Sequence, residues 1–98
     1  MNIRIIFFST SPEGLEQGKK IWDAEMAPLL KQQKGFLKAY RADATDEPGG
    51  GVMVQLWECK KDEDDWRSCE EYKKIIAKVE TYIPQLSIER DFEVDKEV

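Results

Sequence analysis

Residues 3 to 10 carry Ile3, Ile5 and Phe7 on one side of an extended strand and Ile6 and Phe8 on the other. Both faces therefore call for burial, which marks a central strand. Ser11-Pro12-Glu13 follows with an N-cap hydroxyl, a proline suited to the first helical position and an acid for the first turn, so a helix begins there. Leu15, Trp22, Met26, Leu29 and Leu30 recur at spacings near 3.6 residues and make one apolar stripe to pack on a sheet, while Glu16, Lys19, Lys20 and Asp23 fall off it. Pro28 lacks a backbone donor and predicts a kink or break near Ala27, and Gly35 offers a left-handed stop, which places the helix end at about Lys34.

Phe36 to Ala42 and Val52 to Glu58 both alternate with the period of a strand. Between them residues 43 to 51 concentrate turn formers and glycines with no Lys-Ser/Thr and no helix behind them, so they read as a hairpin loop rather than a phosphate cradle. Lys60 to Asp65 leads into a second helix with Trp66, Cys69, Tyr72, Ile76, Val79 and Ile83 on its apolar stripe and Ile75 and Tyr82 at its margin, and Pro84 ends it. Asp62, Glu63, Asp64 and Asp65 crowd its start, where free amides favour carboxylates, and read as a solvated cluster rather than a cation site. The last strand sets Leu86, Ile88, Arg90, Phe92 and Val94 on one face, expected dry, against Ser87, Glu89, Asp91 and Glu93 on a wet one.

The order β-α-β-β-α-β over residues 1–98, without a linker, predicts a single α+β domain of the ferredoxin-like kind: a four-stranded antiparallel sheet with both helices on one face. The opposite face is expected to receive Ile6 or its neighbours, Phe36 or Leu37, and Trp57, which is too much apolar surface to leave in water. A homodimer through that open face is the simplest remedy.

Composition narrows the chemistry. A hydrophobic share of 41% with 36% charged residues suits a folded globular chain. Fifteen Lys and Arg against twenty Asp and Glu, a formal charge of -5 with no basic stripe, argue against nucleic acid as a partner. The apolar run at the amino terminus is far shorter than a membrane span and reads as a strand of a cytoplasmic protein. Cys59 and Cys69 do not define a disulfide framework, and Cys69 reads as a small core residue. The chain contains no histidine, which removes imidazole as base, metal ligand or heme ligand.

Three strings carry a family resemblance that spans nearly the whole chain. Gln33-Lys34-Gly35-Phe36-Leu37 is similar to a "Gln-x-Gly-Phe-Leu" entry to strand two, Leu56-Trp57-Glu58-Cys59 to a "Trp-Glu-Ser" end of strand three, and Trp66-Arg67-Ser68-Cys69-Glu70-Glu71-Tyr72 to a "His-x-x-Ser-x-x-Phe/Tyr" helix segment. The chain thus resembles the dimeric α+β barrel proteins known as antibiotic biosynthesis monooxygenase-like domains. That resemblance implies one of three types: a cofactor-free oxygenase, a heme-degrading oxygenase, or a member without assigned activity. Heme-degrading members share a tryptophan at Trp66, but their axial histidine aligns with Ile76 and their strand-one asparagine falls near Phe7, so heme breakdown is disfavoured.

Cofactor-free oxygenases of this kind act on polyphenolic, anthrone-like rings that, once deprotonated, pass an electron to dioxygen themselves, so the enzyme binds the ring and stabilises its anion. The resemblance implies Trp66 and Tyr72 as site residues, Asp62 where an asparagine would donate, and Arg90 as the stabilising cation, with no cofactor. Read from the residues alone, Trp66 and Tyr72 also suit the core, and six positions apart on one helix they point about 120° apart. Asp62 would repel a phenolate unless protonated, and Arg90 could equally pair with Glu58 or with an acid of a partner subunit. The expectation is a small cofactor-independent monooxygenase-like protein acting on an aromatic or hydrophobic small molecule. The alternatives are a non-catalytic hydrophobic-ligand-binding or interaction domain on the same fold, and an isomerase or lactone-shifting enzyme.

Overall fold

The computed structural model of the chain describes residues 1–84 and 88–98. Its elements are β1 (Asn2–Ser9), α1 (Pro12–Ile21), a π-helical turn (Trp22–Met26), α2 (Ala27–Leu30), β2 (Phe36–Asp43), β3 (Gly50–Trp57), α3 (Lys60–Ser68), α4 (Glu70–Tyr82) and β4 (Ile88–Glu93). The strands form one antiparallel sheet in the order β2-β3-β1-β4, the split β-α-β arrangement of the ferredoxin-like fold. Among the described residues no helix is long and apolar enough to cross a membrane.

The first helix begins as its sequence requires, with the Ser11 hydroxyl accepting from the Gly14 N–H at 3.0 Å and Pro12 in the first turn. Its interruption comes earlier than Ala27. The Ala27 N–H reaches back five residues to the Trp22 carbonyl, making a π turn immediately before Pro28, whose ring would crowd a regular α-helix. The helix then ends at Leu30 rather than Lys34, and Gly35 turns the chain at φ 81° into β2.

The second helix is two helices. Cys69 is extended (φ −77°, ψ 151°) between α3 and α4. Ser68 Oγ donates to the Asp64 carbonyl at 2.8 Å, closing α3, and Glu70 and Glu71 supply acids to the new amino end of α4. Cys69 is therefore a half-buried corner packed against the core, not a member of a continuous stripe.

Strand registers assign the faces. Ile3, Ile5 and Phe7 of β1 stand beside Val52, Val54 and Leu56 of β3 and beside Ile88, Arg90 and Phe92 of β4, all on the side without helices. Two expectations are corrected by this. Trp57 is fully buried on the helix side, with the Phe36 ring 5.4 Å away, and Ile6 also faces the helices. A bulge between Phe36 and Lys38 leaves Leu37 exposed out of the alternation. In β4 the expected dry face is the open one, with Ile88 52% and Phe92 40% exposed, while Glu89 and Asp91 turn inward. Leu86 and Ser87 lie outside the described residues.

The hairpin loop joins the rest through Gly49, at φ 86°, whose carbonyl accepts from the Thr10 N–H at 2.9 Å. A Cβ there would overlap the Thr10 carbonyl oxygen. Gly49→Ala is expected to cost about 2 kcal/mol or more, read as a lowered urea midpoint at unchanged slope. An unchanged midpoint would show that the loop does not depend on this approach.

Candidate functional site

A cavity of about 60 Å³ lies between the helix side of the sheet and the helices. β1 lends it Ile6 and Phe8, β3 lends Met53, the π turn Trp22 and Met26, and α4 Tyr72, Ile76 and Val79. The π turn carries two residues of this wall, Trp22 and Met26, which lie four apart and so on one side of the helix. At its edge the Arg41 guanidinium lies 5.3 Å from the Trp22 ring and is held by Asp23 at 2.9 Å.

Trp66 and Tyr72 both line the cavity, and their rings meet edge to face at 5.3 Å. A continuous helix would have sent them apart. The break at Cys69 reverses that outcome by letting α4 take its own direction, so that two aromatics on different helices share one wall.

The polar end of the cavity belongs to residues that sequence reasoning passed over. Arg4, on the central strand β1, is 2% exposed and lines the cavity together with Arg67 and Gln55. Its Nε lies 3.2 Å from Glu63, its Nη2 contacts Glu89, and its Nη1 lies 3.4 Å from Asp91, which also accepts from Asn2 at 3.1 Å. Arg67 stands 3.6 Å from both Glu63 and Glu89. Glu63 is fully buried, so the acidic run at the start of α3 is not the solvated cluster expected of it. The signal was present in β1, where a charged residue sits at an inward position between Asn2 and Ile6.

Burial pushes the Glu63 carboxyl up to about 7, with Arg4 and Arg67 pulling it down and Asp91 adding to the rise. Burial also raises the Tyr72 phenol, as does Glu89, against the opposing pull of Arg4 and Arg67. It therefore remains a neutral donor at neutral pH. Burial disfavours the charge on Arg67, but Glu63, Tyr72, Glu89 and Asp91 outweigh it and hold its pKa above the usual value. An aromatic body with one oxygen could rest against Trp66 and Tyr72 and face a phenol donor and two guanidinium groups.

The other two expected site residues lie elsewhere. Asp62, 8% exposed, packs against Gly35 and accepts from the Cys59 thiol at 3.3 Å, at the start of α3 and outside the cavity lining. Arg90 is exposed on the open sheet face with its guanidinium 5.0 Å from the Phe92 ring, and among the described residues no carboxylate, Glu58 included, is within ion-pairing distance of it. Among the described residues no three Cys, Asp or Glu side chains converge to hold a metal ion.

The split β-α-β sheet and the small aromatic cavity beneath its helices define a ferredoxin-like α+β protein with an internal cavity on the helix side. The profile of the antibiotic biosynthesis monooxygenase family matches residues 1–78, and the chain belongs to that family. Among solved structures it is similar to a candidate antibiotic biosynthesis monooxygenase from Deinococcus radiodurans (15% identity, 100% of this chain and 96% of that one, TM-score 0.83). It is also similar to a Mycobacterium tuberculosis protein (16%, 99% and 98%, 0.79) and to a conserved protein from Methanosarcina mazei Go1 (13%, 94% and 91%, 0.80). At these identities the likeness concerns the fold. No functionally curated protein matches the chain.

The raised Glu63 carboxyl has a stability signature. Below about pH 4.5 it is protonated folded or unfolded; between there and about 7 the folded chain holds a proton that the unfolded chain has lost. Its contribution therefore declines as pH rises through that window and is absent above it. Glu63→Gln should remove this slope, so that its stability relative to the native chain rises by about 2–3 kcal/mol from pH 4.5 to pH 8 in urea unfolding. A pH-independent difference would show that folding leaves the Glu63 carboxyl at its ordinary pKa.

Proposed function

We propose that residues 1–98 act as one domain of a small cytoplasmic monooxygenase-like enzyme that oxidises an aromatic or other hydrophobic small molecule without an organic cofactor or metal. The observation that carries this reading is the Trp66–Tyr72 pair lining an apolar cavity that ends in Arg4 and Arg67. A phenolic ring with an adjacent activated CH₂ supplies its own electrons. Its anion passes one electron to dioxygen, the resulting radical pair combines to a hydroperoxide, and loss of water leaves a carbonyl. One oxygen atom enters the product and the other leaves as water, with all four electrons coming from the CH₂ carbon. The protein's part is to hold the ring against Trp66, donate from Tyr72 to the ring oxygen and stabilise its negative charge with the guanidinium groups. Asp62 supports this site by setting the start of α3, and Arg90 supports it through the subunit contact.

The cavity's own size favours a second reading, a non-catalytic ligand-binding domain. Its 60 Å³ accommodates about two water molecules, whereas benzene occupies an engineered cavity of about 150 Å³. A ring enters only if the flexible Met26 and Met53 repack and the Arg41–Trp22 contact opens. Oxygen uptake with anthrone-type phenols separates the readings. The enzyme predicts turnover that Trp66→Ala and Tyr72→Phe each lower about tenfold or more; ligand binding without oxygen uptake assigns the binding domain.

We also propose a homodimer through the open sheet face. Phe7 at 49% exposure, Ile88 at 52% and Tyr40 at 55% share that face with Val54 and Ile5 in the middle of the sheet, a patch that water does not favour. Sedimentation at micromolar concentration should give twice the chain mass, and Val54→Asp should give the single mass. A native chain that sediments as a monomer would remove the proposal.

A further inference from the structure

Arg4 and Arg67 look two ways. Toward the cavity they form its polar end; away from it they face Glu63, which is fully buried and is not part of the lining. The internal pairing is incomplete. Among the described residues the buried Nε of Arg67 has no hydrogen-bond partner, and the ionic contacts of Arg4 Nη2 with Glu89 and of Arg4 Nε with Glu63 at 3.2 Å lack hydrogen-bond geometry. Two guanidinium groups, Arg67 with a spare donor and Arg4 with loosely matched ionic contacts, therefore border an apolar space, held in place by a carboxylate behind them.

We propose that Glu63 is an internal counter-ion whose hold on Arg4 and Arg67 is displaced when a ligand's acidic group enters the cavity. The cavity then selects aromatic molecules that bear one carboxylate or phenolate, and Glu63 takes up a proton as they bind. The inference rests on the reading that this cavity binds an aromatic molecule, and does not depend on turnover.

The charges around Glu63 explain why a proton must move. Arg4 faces it from β1, Arg67 and Asp64 from its own helix α3, and Asp91 from β4. Glu89 of β4 and Tyr72 of α4 reach it through the arginines, and Lys60 touches Asp91 at 3.8 Å. Two guanidinium groups already meet three carboxylates. An added anion in a site of low dielectric would be left without a counter-charge unless one carboxylate became neutral. Glu63 is the most buried of the three, with a carboxyl already raised to about 7, so it is the one that protonates at least cost. Such binding is linked to proton uptake and weakens as pH rises above that value.

Titration calorimetry with 2-naphthoate and its neutral isostere 2-naphthamide, each in phosphate and in Tris buffer, tests this. At about pH 8 the native chain should take up close to one proton per naphthoate and none per naphthamide, and naphthoate affinity should fall about tenfold per pH unit above 7. Glu63→Gln should abolish both the uptake and the pH dependence for naphthoate. Arg67→Gln, at a less buried position, should weaken naphthoate about tenfold and leave naphthamide unchanged. Naphthoate binding no tighter than naphthamide, or a proton uptake that survives Glu63→Gln, overturns the proposal and leaves the cavity reading standing. Failure of both probes to bind the native chain removes the two together.

Discussion

The guanidinium of Arg4, buried in the middle of the sheet, sets conditions that much of the molecule obeys. A cation with almost no access to water must be met by carboxylates. They come from two directions: Glu63 from α3, and Glu89 and Asp91 from β4. Because side chains alternate along a strand, turning Glu89 and Asp91 inward necessarily turns Ile88, Arg90 and Phe92 outward. The apolar character of the open face and the ionic character of the interior are thus two sides of one register.

That register also explains where the sequence was legible. Ferredoxin-like order, strand and helix starts, the Gly35 stop and the apolar stripe of the first helix all follow from local periodicity and capping, and local forces decide them. The faces of β4 depend instead on a charge 87 residues away in the chain. Hydrophobic alternation sees Leu, Ile, Phe and Val on one side of that strand and assigns them to the core. It has no means of knowing that an arginine on β1 claims the other side. The same blindness concealed Glu63, which looks like one more acid in a helix-capping run until Arg4 is placed above it.

At the site the sequence named the aromatic half and missed the charged half. Trp66 and Tyr72 line the cavity, but the reason they meet is the extended corner at Cys69, which no propensity at that position announces. Asp62 and Arg90 sit elsewhere because the first packs into the approach of Gly35 and the second belongs to the outward side of β4. Arg67, one residue from Trp66, occupies the role of cavity cation that was sought at Arg90. Desolvation and ion pairing, rather than periodicity, decide which charged groups face an apolar space.

The winding between Trp22 and Met26 has a consequence for how this chain can change. A π turn is one residue more than an α-helical turn requires. Deleting one residue there would restore regular winding with α1 and α2 close to their present faces. Pro28 would then meet the carbonyl of a regular preceding turn, the crowding that the wider turn relieves. The turn is in effect one extra residue in the first helix, and it gives a proline room in the middle of a path that would otherwise break there.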